Sequence, residues 1–192
     1  DFFAAAILLV MMARKGRLKD TLEAAKTKSG RVVMLGALLG GPIGMSGYLA
    51  AINAIGPGYT AAISAFYPAV GSLLAWLLLK EKMSLKQVIA LIVALVGVMV
   101  IGISTAAGEG NGNVFVGIVG VIACVFGWGS EAVILVWGMQ DDAVDNETAL
   151  QIRETTSAFA YGLIILPLAG SVEFTSQVAV TPANAVVFIA AL

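Results

Sequence analysis

The chain has 192 residues, 59% apolar and 12% charged, with no histidine and a formal net charge of -1. A soluble domain runs at about 45–50% apolar and about 25% charged, and a chain this short cannot hide such a surplus in one core. Lipid is its natural solvent. The near-neutral charge leaves no basic footprint for nucleic acid. A single cysteine, Cys124, cannot close an internal disulfide. Without histidine, most metal sites and the histidine-based triads are excluded, and no cofactor is expected.

A membrane-crossing helix needs about 20 mostly apolar residues, because each residue rises about 1.5 Å through a core about 30 Å thick. Phe2–Met12 is apolar but too short to span, and it lacks the basic region and cleavage site of a signal peptide. The basic stretch 13–31 follows, with Arg14, Lys15, Arg17, Lys19, Lys26, Lys28 and Arg31. Val32–Ile55 is the first full span. Gly56-Pro57-Gly58 turns the chain, and Pro57 suits the first position of the next span, Pro57–Leu79. Lys80-Glu81-Lys82 closes that helix, and Ser84 with Gln87 forms a capping box that opens Leu85–Ser104. Ala106–Asn113 is a glycine-rich loop. Its Gly108-Glu-Gly-Asn-Gly112 is no nucleotide fingerprint, because no strand precedes it. Val114–Gly138 is the fourth span. Gln140–Glu147 is an acidic loop in which Asp145 or Asn146 caps the fifth span, Thr148–Gly170, and Asn184–Leu192 opens another. The fold expected is an all-α, polytopic helical bundle, an internal piece of a longer protein.

Lysine and arginine placement orients it. The stretch 13–31, the loop 80–84 and the start of Thr148–Gly170 all fall on one side, so loops 13–31, 80–84 and 139–147 are assigned to the cytoplasm. The plasma membrane is the expected location. On that assignment the sequon Asn146-Glu-Thr148 never meets the glycosylation enzyme.

The run Thr60-Ala-Ala-Ile-Ser-Ala-Phe-Tyr-Pro-Ala-Val-Gly-Ser, continuing through Lys80-Glu81-Lys82-Met83-Ser84-Leu85-Lys86-Gln87 to Gly97-Val98-Met99-Val100-Ile101, resembles the EamA-type drug/metabolite transporters. It is similar to the junction of that family's fourth and fifth helices. The resemblance implies a ten-helix protein of two inverted five-helix repeats, of which this chain supplies roughly the second through eighth helices. Residues 1–104 would end the first repeat and 114–192 would begin the second. With it go alternating access and a small-molecule substrate; a coupling proton or sodium ion and a homodimer are further partner expectations.

Within the spans, Gly36, Gly40, Gly44 and Gly47 recur at helical spacing, as do Ala90, Ala94 and Gly97. Such stripes let helix backbones approach closely in lipid. Pro42 and Tyr67-Pro68 lie mid-span, where a proline frees carbonyls that must find other partners. The sharpest feature is Glu131, roughly 8 Å to the cytoplasmic side of the midplane at the standard helical rise. Its face also carries Gly117, Gly120, Cys124, Gly127 and Trp128. An acid in a span costs roughly 2.5 kcal/mol or more and points to function. Three roles are open to Glu131: countering an organic cation beside the Trp128 ring, carrying a coupling proton, or pairing with Arg153. Tyr48 and Tyr67 are deep enough to face a central cavity, whereas Tyr59 and Trp76 suit the interfacial belts. Together Glu131, Trp128, Tyr67, Tyr48 and Pro42 form the candidate substrate site, for a choline-like amine. Amino-acid or other metabolite export is the alternative within the class. A membrane scaffold and an intramembrane enzyme are the rivals outside it, and the spans hold no nucleophile–base pair for the latter.

Overall fold

A computed structural model describes residues 1–105, 112–141 and 143–168. Residues 106–111 of the expected loop Ala106–Asn113, the last two residues of the expected span Thr148–Gly170 and the span opening at Asn184–Leu192 lie outside the described residues. All regular structure among the described residues is helical: α1 (Phe2–Arg14), α2 (Leu18–Lys26), α3 (Lys28–Ile55), α4 (Pro57–Leu79), α5 (Leu85–Thr105), α6 (Val114–Gly138) and α7 (146–168). Helices α3, α4, α5 and α6 are each long and apolar enough to cross a membrane. Among the described residues α7 does not join them, because its first turns carry Gln151, Arg153 and Glu154.

Local chemistry sets the boundaries. Gly16 and Gly56 end α1 and α3 at φ of +70° and +86°, where a side chain would be strained. Pro57 occupies the first turn of α4. Lys80, left-handed at φ 57°, stops α4. The expected capping box forms at α5: Ser84 N–H donates to Gln87 Oε1 at 2.8 Å and Gln87 N–H to Ser84 Oγ at 3.4 Å. Asn113 caps α6 through Phe115 N–H, and Asp145 caps α7 through the N–H groups of Glu147 and Thr148. The basic stretch 13–31 is not the open loop the sequence suggested. It holds α2 and the first turn of α3, separated at Thr27, whose hydroxyl accepts from Gly30 N–H at 3.0 Å. Ala24 tucks into a small core with Val33, Val144, Ala149 and Ile152, and that burial stabilises a helix in a charged segment.

Helix α6 is the hub. Of its apolar window 44% is buried, against 6% for α5, and it packs along both α3 and α4. Helix α3 contacts α6 and α7 together. Close approach comes from glycine on both sides of the α3–α6 contact. A Cβ at Gly36 would lie 3.3 Å from Ile134, one at Gly44 would lie 2.9 Å from the Trp128 ring, and one at Gly47 would collide with Gly120 O. The second small-residue stripe behaves differently. Ala90, Ala94 and Gly97 are exposed, and a Cβ at Gly97 would meet nothing within 4 Å. Helix α5 instead packs through Gly102, near its far end, against Gly58 and Ala62 of α4.

Candidate functional site

Both prolines interrupt their helices. Pro42 sits in a π-helical segment, Leu39–Gly44, where Gly40, Gly41, Pro42 and Gly44 are all buried. Proline cannot donate, so nearby carbonyls need other partners. One is supplied from α7: Ser157 Oγ donates to Ala37 O, five residues before Pro42, at 3.2 Å. In α4 the helix breaks into a turn at Ala65 and Phe66 and restarts at Tyr67, ahead of Pro68.

These breaks flank Trp128 of α6. The Tyr48 ring lies 5.1 Å from the Trp128 ring, tilted by 36°, and the Tyr67 ring stands edge-on to it at 5.9 Å and 90°. Each geometry is a favourable aromatic arrangement. Tyr67, itself exposed, and Trp128 also line an open groove of about 310 Å³ with Pro68, Gly71, Ser72, Ala75, Gly129, Ala132 and Val133. Tyr48, Pro42 and Glu131 lie outside that lining. Tyr59 and Trp76 are exposed, at 46% and 55%.

One turn past Trp128, Glu131 lies against Gly40, where any Cβ would overlap its carboxylate. Glu131 Oε1 accepts from Arg153 Nε at 2.8 Å. Arg153 Nη1 also donates to Glu154 Oε1. The guanidinium therefore bridges two carboxylates, with Glu131, Arg153 and Glu154 side chains 15%, 27% and 9% exposed. No group of three or more metal-ligating side chains occurs among the described residues.

A second cluster ties the α1–α2 connection to the start of α7. Lys15 Nζ donates to Glu147 Oε1 at 2.7 Å, and Arg17 donates to Glu147, Asp145 and Thr148. Ser29 Oγ donates to Asp141 Oδ2 at 2.6 Å. The Lys15 hydrogen bond, then its charge, holds Glu147 below its ordinary value. Partial burial works against ionisation of Asp145, but bonds from Thr148 and Arg17 outweigh it and bring that carboxyl down too. The Ser29 hydroxyl and the Ala143 N–H do the same for Asp141. Reasoning from the sequence missed this cluster, although acidic and basic loops assigned to one side were its signal.

Apolar helices that expose much of their length, interrupted near a part-buried ion pair and an aromatic cluster, define a multi-pass membrane protein. The EamA-like transporter family model matches residues 2–103, and the chain belongs to that family. Protein LicB of Haemophilus influenzae is 31% identical over 134 residues, a match covering 70% of this chain and 45% of that protein. Less than half of that relative's length is thus represented. No solved structure matches the chain.

Proposed function

We propose that this chain is part of a secondary transporter that moves a small cationic or quaternary amine, choline-like in chemistry, by alternating access. Residues 1–104 and 114–192 would be the end of one repeat and the beginning of the next, rocking about a site between them. Family membership supports transport of small metabolites. One observation carries the substrate class: the Trp128 ring, flanked by Tyr48 and Tyr67, lies one helical turn from the Glu131 carboxylate. A ring face attracts a desolvated cation by up to about 2 kcal/mol, and quaternary ammonium groups are bound in such aromatic surroundings. The carboxylate supplies the opposite charge. Pro42 contributes through the π segment that brings Gly40 and Gly44 against Glu131 and Trp128.

Coupling to a proton or sodium ion, homodimer assembly and placement in the plasma membrane with the Lys15–Glu147 cluster on the cytoplasmic side belong to the same proposal. Uptake of radiolabelled choline into proteoliposomes tests it. Saturable, gradient-dependent flux is expected, abolished by Glu131→Gln with expression intact. Absence of saturable flux in the unmodified protein, or normal affinity and rate in Glu131→Gln, would discard the amine reading.

A further inference from the structure

Glu131 alone neutralises Arg153, yet Arg153 holds a second carboxylate. Glu154 is a buried residue, and its Oε2 has no hydrogen-bond partner. The amino group of Asp1 forms an ion pair with that oxygen at 4.0 Å, too long for a hydrogen bond. Leaving a buried acceptor without a hydrogen bond is expensive, and each such group calls for an explanation. Two carboxylates share the one guanidinium, so Arg153 has an alternative partner at hand.

We propose that Glu154 is the holding site that lets Arg153 release Glu131 to the substrate cation. The proposal rests on the amine reading above. In the structure Arg153 divides its fork, Nε to Glu131 and Nη1 to Glu154. When a cation arrives at Trp128 and Glu131, the guanidinium leaves Glu131 and turns so that Nη2, whose N–H runs parallel to that of Nη1, donates to Glu154 Oε2. The guanidinium then sits bidentate on one carboxylate, the geometry its planar fork matches. Without that spare oxygen, separating Glu131 from Arg153 would strand a buried charge and offset the attraction of the incoming cation. With it, Arg153 with Glu154 and Glu131 with the cation form two neutral pairs. Arg153 and Glu154 are neighbours on α7, so the exchange requires side-chain rotation only. Glu154 is a positioning residue: it acts on the substrate through Arg153.

Choline binding to the purified full chain, measured by calorimetry, tests this beside competition by 3,3-dimethyl-1-butanol, the neutral carbon isostere. Glu154→Gln is expected to weaken choline by about tenfold or more, the size of one charge-assisted hydrogen bond, and to leave the isostere unchanged. Glu154→Asp should recover most of the loss. Wild-type choline affinity in Glu154→Gln overturns the proposal, as does an equal loss for both ligands, which would mark a purely structural role. No choline binding by the unmodified protein overturns the amine reading and this inference with it. Should Glu154→Gln fail to fold, the unmodified protein decides. Choline should shift guanidinium infrared bands that respond to isotope-labelled arginine and vanish in Arg153→Lys. Lack of any arginine-sensitive band would refute the exchange.

Discussion

Replacing Gly40 with alanine tests whether α3 and α6 meet as closely as the ion pair requires. The added Cβ would overlap the Glu131 carboxylate and lie 2.7 Å from Glu131 Cβ. Rotating the carboxylate relieves the first clash but not the second, because Glu131 Cβ is fixed to the α6 backbone. Ordinary contact between such carbons is about 3.5–4.0 Å, so the helices must separate by roughly 1 Å at this level. Overpacking of this kind costs about 1–3 kcal/mol, a factor of about 5 to 150 in the folding equilibrium at the usual conversion. The same substitution at Gly97, where a Cβ meets nothing within 4 Å, is the control. There alanine should be neutral or stabilising by up to about 1 kcal/mol, from helix propensity. Reversible unfolding in mixed micelles compares the two variants. Combining Gly40→Ala with Glu131→Ala should cost less than the sum of the single changes, since one clash is removed with the carboxylate. Equal stability of Gly40→Ala and Gly97→Ala would refute the packing argument.

Further outcomes follow from other contacts. Arg153→Ala leaves Glu131 and Glu154 without their shared guanidinium and should destabilise the fold by about 1–3 kcal/mol, less than a fully buried pair would, because the guanidinium is 27% exposed. Exchanging charges, Glu131→Arg with Arg153→Glu, should recover part of the stability lost in either single change, and no recovery would argue against direct pairing. Trp128→Ala should weaken choline binding by about 30-fold, the equivalent of about 2 kcal/mol, and unchanged affinity would remove the indole from the site. For the Lys15–Arg17–Asp145–Glu147 cluster and the Ser29–Asp141 bond, the folded-state carboxyl values are depressed. Their stabilisation is therefore complete above the ordinary values, 3.8 for aspartate and 4.5 for glutamate, and is lost as pH falls through the lower folded values. Thermal stability in detergent should be flat down to those ordinary values and then decline, less steeply in Glu147→Gln. Cys124 is fully buried, so it should resist maleimide labelling until the protein is unfolded, and rapid labelling of the native state would contradict its position between helices.

The apolar surplus and the spacing of its segments determined that this is a bundle of membrane-crossing helices, because span length is set by bilayer thickness and the 1.5 Å rise. Caps and turns were equally local: Pro57, Ser84 with Gln87, Asp145 and the glycine at position 56 each act on their own few residues. Glu131, Trp128 and Arg153 were visible as candidates because polar and aromatic groups stand out in an apolar span. Periodicity could not say which small-residue stripe finds a partner. The α3 glycines meet α6, while Ala90, Ala94 and Gly97 stay exposed, although both stripes have the same spacing. Nor could it show that α2 is a helix, since burial of Ala24 beside Val144 and Ile152 depends on residues more than a hundred positions away. The meeting of Tyr48, Tyr67 and Trp128 from three helices, and the sharing of Arg153 between Glu131 and Glu154, were decided by tertiary packing alone. Helical periodicity states which way a side chain points from its own axis. Only the arrangement of the axes determines what it meets there.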